Sequence, residues 1–207
     1  MNANQAPRQP IFILPPATKG LLAANVVICA LMLVLPEEVS DAIVQNFGFT
    51  PARYGAQHFL TWTALVDPVT YQFLHAGVTH LAVNMLGLVA FGAGVEQRLG
   101  RWRCLAFYIL CGIAGAFTEF AYDPGSNDVM IGASAATSGL FGGILRLAVF
   151  RRGFWLLVAL WFAMNAATGL TGMGAEGEPV AWVAHVGGFV AGLLLYPLFV
   201  RRAFKGK

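Results

Sequence analysis

The chain has 207 residues, of which 57% are hydrophobic and only 11% are charged, with a net charge of +3. Soluble domains carry about 25% charged residues, and a globule of this length cannot hide so much apolar surface from water. The composition therefore excludes soluble enzymes, disordered chains, collagen-like chains and disulfide scaffolds. The cysteines all lie in apolar stretches, which indicates buried small groups rather than a disulfide framework: Cys29, Cys104 and Cys111.

Six apolar stretches are long enough to cross a bilayer as helices, which takes about 20 residues each. They run from roughly 18 to 36, 78 to 97, 102 to 121, 131 to 149, 153 to 171 and 180 to 200. The predicted fold class is an all-α polytopic membrane protein, a bundle of six transmembrane helices. The core is expected to cover residues 18–200, between a short cytoplasmic tail, 1–17, and a basic cytoplasmic tail, 201–207.

Two segments before the second span need separate interpretation. The first 17 residues contain four prolines and no long apolar run, so we expect the first span to be a retained helix and not a signal peptide. The long connection from about 37 to 77 mixes aromatic residues, such as Trp62 and Phe73, with Asp67 and Pro68. That mixture predicts amphipathic structure lying at the membrane surface.

The charges indicate the orientation. With six spans and a cytoplasmic N-terminus, every lysine and arginine except Arg53 falls on the cytoplasmic side, and every acidic residue except Glu96 falls outside. Basic residues mark the cytoplasmic side of membrane proteins. They are expected to face anionic lipid, so the positive charge requires no nucleic-acid partner.

Polar side chains inside membrane spans are costly and therefore mark candidate functional sites. His80 and Asn84 begin the second span, Ser134 begins the fourth and His185 begins the sixth. All three spans start at the outer face, so at about 1.5 Å per residue these four groups share one depth in the outer third of the bilayer.

Residue spacing predicts how the fourth and sixth helices meet. Ser134, Ser138 and Gly142 form a strip of small residues four apart, and His185 shares a face with Gly188 and Gly192. Small-xxx-small strips let membrane helices approach closely. We therefore expect the two strips to pack together and to place Ser134 beside His185.

A serine next to a histidine is a nucleophile next to its general base. His80 and Asn84 are donors at the same depth and are expected to support an oxyanion, together with backbone N–H groups near Ser134. No carboxylate lies at this depth to orient His185, which predicts a Ser-His dyad. Taken alone, Ser138 is interpreted as a packing residue and His75 as a structural histidine.

Four motifs in this order resemble the rhomboid intramembrane serine proteases of the bacterial six-helix type. They are HAGVTHLAVNMLGL from His75, FGAGVEQRLG from Phe91, GASAATSGLFGG from Gly132 and AHVGGFVAG from Ala184. The resemblance covers residues 58 to 200. It implies Ser134 as the nucleophile, His185 as the base and His80 with Asn84 at the positions of oxyanion support.

The resemblance also implies a substrate class and a location. The substrates are transmembrane proteins, cleaved near the extracytoplasmic membrane surface without metal or cofactor. The expected location is a bacterial inner membrane, since there is neither a transit peptide nor a seventh span. Two positions near the nucleophile depart from the family pattern: Ala135 stands where a glycine follows the nucleophile, and Ser138 stands where some members carry an aromatic ring. The first long loop also lacks the Trp-Arg pair of many members, because Thr63 follows Trp62.

Other functions remain as alternatives. A catalytically silent relative that binds transmembrane helices is the runner-up, favoured by Ala135 and Ser138. A transporter would place polar residues through the full bilayer depth, whereas the inner halves of these spans are nearly free of them. Intramembrane metalloproteases carry His-Glu-x-x-His, and aspartyl intramembrane proteases need two Asp inside spans. The sequence has neither pattern.

Overall fold

The computed structural model describes residues 14–55, 61–146, 153–171 and 181–200. Within these ranges the chain is helical apart from its connections and one isolated antiparallel bridge between Phe49 and Met130. The helices are α1 Pro16–Val34, α2 Glu37–Phe47, α3 Trp62–Thr70, α4 Val78–Gly87, α5 Ala93–Leu99, α6 Arg101–Tyr122, α7 Ser134–Arg146, α8 Phe154–Thr171 and α9 Trp182–Phe199. Short 3₁₀ helices cover Pro51–Tyr54 and Tyr71–Phe73, and a π-helical turn, Leu88–Gly92, joins α4 to α5. The predicted all-α class is confirmed.

Four helices in the described ranges are long and apolar enough to cross a membrane: α1, the continuous run Val78–Leu99, α6 and α9. They match the predicted first, second, third and sixth spans closely. The predicted fourth span corresponds to α7, which has 13 residues, and the predicted fifth span to α8, whose apolar part is Phe154–Gly169. The predicted tails lie largely outside the described residues, which begin at residue 14 and end at residue 200, and so do Arg151 and Arg152.

Helix α7 begins at Ser134 and not at residue 131, as the apolar stretch suggested. Gly132 has a φ of 120°, a conformation that L side chains rarely adopt and that cannot continue a helix. Most residues of α7 are buried, because the helix packs between α6 and α9. The nucleophile candidate therefore sits at the first turn of a central helix.

Small residues bring α7 and α9 into close contact, as predicted. Gly142 of the predicted strip lies in this contact, because a Cβ there would collide with the carbonyl of Phe189. A Cβ added at Gly188 would collide with the carbonyl of Ala135, and one at Gly192 would collide with the carbonyl of Gly139. The face of α7 that approaches α9 thus runs through Ala135, Gly139 and Gly142. The prediction that Ser138 belongs to this strip is wrong, because Ser138 lies one residue further around the helix, toward α8.

The connection between α1 and α4 supports the segment that precedes Ser134. Phe49 and Met130 exchange two backbone hydrogen bonds, and the Gly132 N–H donates to the Tyr71 carbonyl over 2.9 Å. The fully buried Tyr71 ring in turn donates from its hydroxyl to the Gly112 carbonyl in α6, over 2.7 Å. The turn at Gly132 is thereby tied to both the connection and α6.

A buried carboxyl group stabilises this connection. Asp67, on α3, is completely buried and forms an ion pair with Arg53 at 3.3 Å. The Tyr54 hydroxyl also donates to it. Burial raises the pKa of the Asp67 carboxyl, and the hydrogen bonds from Tyr54 and Arg53 act in the opposite direction.

The other end of the bundle carries the basic residues. The α5–α6 junction holds Arg98, Arg101 and Arg103, and the Arg103 guanidinium donates to the carbonyl of Phe199 at the end of α9. Helix α7 ends there with Arg146. Since α4, α7 and α9 all run toward this end, their first turns lie together at the opposite end.

Candidate active site

Ser134 and His185 are in hydrogen-bond contact. The Ser134 Oγ lies 2.8 Å from the His185 Nε2, although the two residues are 51 positions apart in the chain. Ser134 opens α7, and His185 lies in the first turn of α9. The contact predicted from the two small-residue strips is present, and its geometry suits proton transfer from the hydroxyl to the imidazole.

The first turn of α9 is anchored by an acidic residue of α6. The Glu119 carboxylate accepts a hydrogen bond of 2.9 Å from the backbone N–H of Ala184, next to His185. This bond satisfies one of the donors that every helix N-terminus leaves unpaired. Gly187 packs against Thr118 so closely that a Cβ there would collide with it. Both contacts fix the position of the His185 backbone relative to α6.

A third polar group, which the sequence analysis did not identify, contacts the far side of the imidazole. The Asn165 Oδ1 lies 2.8 Å from the His185 Nδ1. Asn165 is 7% exposed and belongs to α8. A signal for it exists in the sequence, because Asn165 is an amide in an otherwise strongly apolar helix and lies about 16 Å from its start at 1.5 Å per residue.

His80 and Asn84 face the turn that precedes Ser134. A Cβ built on Gly132 would lie 2.7 Å from the His80 Nε2 and 3.8 Å from the Asn84 Nδ2. Because Gly132 has no side chain, space remains between its backbone and these two nitrogen atoms. The Asn84 Nδ2 donates one of its two hydrogens to the His80 carbonyl over 2.9 Å, so its second hydrogen is available for another acceptor.

His75 lies behind His80, at the entry to α4. The two rings meet edge to face, with centroids 5.2 Å apart. His75 is buried, and burial lowers its pKa to about 4, with a smaller contribution from His80. The ring is thus neutral at physiological pH.

Ala135 and Ser138, the two departures from the family pattern near the nucleophile, have distinct surroundings. The Ala135 methyl group occupies space that Gly115 of α6 leaves open, because a Cβ at Gly115 would lie 2.6 Å from the Cβ of Ala135. The extra methyl group is therefore accommodated without displacing α7. Ser138 lines a cavity of about 310 Å³ whose other walls include Phe91, Trp161 and Met164.

Across residues 14–55, 61–146, 153–171 and 181–200, no group of three His, Cys, Asp or Glu side chains is placed to hold a metal ion. His185 instead has Ser134 on one ring nitrogen and Asn165 on the other.

Comparison with known proteins identifies one family. The family model described as the Rhomboid domain matches residues 62–202. The chain is 31% identical to the putative rhomboid protease YdcA of Bacillus subtilis, with 68% of this chain and 69% of that protein covered. It is 30% identical to the rhomboid protease GluP of the same organism, over 63% of this chain and 25% of GluP.

Plant proteins are similar as well. RHOMBOID-like protein 1 of Arabidopsis thaliana is 33% identical over 63% of this chain and 33% of its own length. The match to RHOMBOID-like protein 2 of the same plant, also 33% identical, covers 78% of this chain and 50% of that protein. The chain thus spans only a part of most of these relatives.

Proposed function

The chain belongs to the Rhomboid family, and on that premise we propose that it is an intramembrane serine endopeptidase that cleaves transmembrane proteins near the extracytoplasmic membrane surface. The observation that carries the proposal is the 2.8 Å contact between the Ser134 Oγ and the His185 Nε2. A hydroxyl has little nucleophilicity by itself, and an adjacent imidazole that can take its proton supplies the activation.

The proposed reaction has two stages. The Ser134 Oγ attacks the carbonyl carbon of the scissile peptide bond while the His185 Nε2 takes its proton. The imidazolium then protonates the leaving amine as the C–N bond breaks, which leaves an acyl group on Ser134. In the second stage His185 takes a proton from a water molecule, which attacks this ester. The imidazolium then returns the proton to the Ser134 Oγ as the acyl–oxygen bond breaks, which releases the carboxylic acid product and the free serine.

The oxyanion formed in each stage needs hydrogen-bond donors at the start of α7. The first turn of α7 has N–H groups without partners inside the helix, as every helix start has. His80 and Asn84 face the adjacent Gly132, and we assign them to oxyanion support. The His80 carbonyl accepts one of the two amide hydrogens of Asn84, and the other hydrogen suits that role.

The proposed orientation places this site outside and the basic end of the bundle in the cytoplasm. Arg98, Arg101, Arg103 and Arg146 all lie at the end opposite Ser134. Basic residues are retained on the cytoplasmic side, which supports cytoplasmic N- and C-termini. We propose a bacterial cell membrane, the inner one where there are two, as the location, because the similarity to YdcA extends over 69% of that bacterial protein.

The test is covalent labelling of the detergent-solubilised protein with a fluorophosphonate, which reacts with activated serines. We expect labelling of the wild type and of Ser138→Ala, and none of Ser134→Ala or His185→Ala. Ser138→Ala is the matched control, because it removes a hydroxyl from the same helix, one turn away. Labelling of Ser134→Ala would refute the assignment of the nucleophile.

Cleavage of a transmembrane reporter substrate completes the test. Ser134→Ala is expected to abolish cleavage while the protein remains folded. If the folded wild type neither labels nor cleaves, the proposal fails and the catalytically silent, helix-binding function replaces it.

A further inference from the structure

We propose that Asn165 is a positioning residue that holds His185 in the tautomer whose Nε2 can accept the proton of Ser134. This inference rests on the proposed function, because it assigns a role within the same site. Among the described contacts, Asn165 has none with Ser134; it acts through the imidazole of His185.

The first step of the argument is the orientation of the Asn165 amide. Its Nδ2 lies 2.9 Å from the Trp161 carbonyl, one turn earlier in α8. A carbonyl oxygen only accepts hydrogen bonds, so the amide group facing it must be the NH₂. The Oδ1 is therefore directed to the other side, where it lies 2.8 Å from the His185 Nδ1.

The second step is the tautomer of His185. The Oδ1 of an amide has no hydrogen to donate, so a hydrogen bond at 2.8 Å requires the proton on Nδ1. In the neutral ring the Nε2 then carries the lone pair, and this atom is the one that lies 2.8 Å from the Ser134 Oγ. The partner of one ring nitrogen thus decides the state of the other.

The packing of α8 on α9 holds the amide in place. The Trp161 ring stacks on Phe189, with centroids 4.4 Å apart and an angle of 20° between the planes. Asn165 is four residues after Trp161, and His185 is four residues before Phe189. In an antiparallel helix pair these two contacts fall one turn apart on the same face, so the aromatic stack sets the register that brings Asn165 to His185.

His80 offers an internal contrast. Its Nδ1 accepts a long hydrogen bond of 3.4 Å from the backbone N–H of Ala76, which places the proton on Nε2. The Nε2 of His80, facing Gly132, is then a donor, whereas the Nε2 of His185 is an acceptor. A donor suits an oxyanion and an acceptor suits a general base. Asn165 thus selects the Nδ1-protonated tautomer of His185, the general base. The backbone N–H of Ala76 selects the Nε2-protonated tautomer of His80, which supports the oxyanion.

The proposal is tested with two variants and one matched control. Asn165→Leu keeps the size of the side chain and removes the acceptor, and Asn165→Asp keeps an acceptor. The control is Asn25→Leu, because Asn25 is a buried amide that also donates to the carbonyl four residues earlier, in α1, away from His185. Thermal unfolding in detergent establishes that each variant is folded, and Asn165→Ala replaces Asn165→Leu if the latter is not.

The first readout is the tautomer of His185 by ¹⁵N NMR of protein labelled at histidine, with a His185→Gln sample to assign its signals. The spectra are recorded in a Ser134→Ala background, so they do not require activity. We expect the Nδ1-protonated tautomer of His185 where Asn165 is unchanged and in Asn165→Asp. In Asn165→Leu we expect this preference to be lost. An unchanged tautomer in Asn165→Leu would overturn the proposal.

The second readout is the rate of fluorophosphonate labelling. Loss of an outer partner that orients a metal-binding histidine costs roughly 10- to 100-fold in affinity or activity, and we expect a decrease of similar size for Asn165→Leu. Asn165→Asp should restore most of the rate, and Asn25→Leu should stay within about twofold of the wild type. Equal rates for Asn165→Leu and the wild type would contradict the inference and leave the proposed function standing. An unreactive wild type would refute the function, and the spectra would still test the tautomer.

Discussion

Glu96 and Thr18 are joined by two hydrogen bonds to a single carboxylate oxygen. The Glu96 Oε2 accepts from the Thr18 N–H at 2.7 Å and from the Thr18 hydroxyl at 2.9 Å, and the Oε1 accepts from the Ala17 N–H at 2.8 Å. All three residues are buried. A side chain from the end of one span therefore caps the first turn of another, where no local side chain does so.

Glu96→Gln should destabilise the protein. The glutamine side chain keeps one acceptor oxygen, but its NH₂ group then faces a backbone N–H donor. The substitution also removes the negative charge from the start of α1. We expect a loss of about 1–3 kcal/mol in the free energy of unfolding, measured by unfolding in mixed micelles. Glu37→Gln is the control, because Glu37 is an exposed residue in the first turn of α2. Equal losses in both variants would refute the capping role.

Gly192→Ala should lower both stability and activity. The new methyl group would collide with the carbonyl of Gly139 and force α9 away from α7. Overpacking of this kind costs about 1–3 kcal/mol, and a displacement of about 1 Å at the site can reduce turnover roughly 100-fold. Gly20→Ala is the control, since a Cβ at Gly20 meets no atom within 4 Å. Wild-type unfolding and turnover in Gly192→Ala would contradict the packing argument.

Asn84→Ala should reduce turnover and leave the reporter substrate bound. If the second amide hydrogen of Asn84 stabilises the oxyanion, its loss affects kcat by roughly 10- to 1000-fold, with little change in KM. Steady-state cleavage of the reporter measures both constants. An unchanged kcat would return Asn84 to a packing role, which its hydrogen bond to the His80 carbonyl already supports.

His75 should make the folded state sensitive to acid. Burial lowers its pKa to about 4 in the folded protein, while the unfolded side chain titrates near 6.5. Between these values only the unfolded state binds the proton, so stability falls as the pH is lowered from about 6.5 to 4. The loss amounts to at most about 3 kcal/mol.

The measurement compares the free energy of unfolding of wild type and His75→Gln at pH 7, 5.5 and 4.5. Contributions of other groups appear in both proteins and cancel in the difference. We expect the stability of the wild type to fall more steeply than that of His75→Gln. Parallel curves would show that His75 does not titrate as its burial indicates.

The meeting of Ser134 and His185 was predictable from sequence because two independent patterns agree on it. The span order places both residues at one depth, and the small residues Gly188 and Gly192 indicate where the helices approach. The pattern on α7 was harder to interpret, because small residues occupy several of its faces. Only the observed packing distinguishes Ala135 and Gly139, which approach α9, from Ser138, which does not.

The contacts that Asn165 and Glu119 make with α9 illustrate what sequence patterns do not contain. Each contacts α9, at His185 and at Ala184, from a helix that is remote in the chain. Hydropathy gives the depth of a residue in the membrane, but it does not give the rotation of its helix about its own axis. That rotation decides whether a polar side chain faces a partner.

By itself, the sequence determined that this protein is a helical membrane protein, because apolar stretches of about 20 residues have few other stable arrangements. It also determined which polar residues share one depth, because each helix rises by a constant amount per residue. The tertiary structure alone decided which amide contacts which imidazole, which carboxylate caps which helix, and where the methyl group of Ala135 fits. Those outcomes depend on helix rotation and on contacts of a few ångströms between remote segments, which close packing settles only in the folded chain.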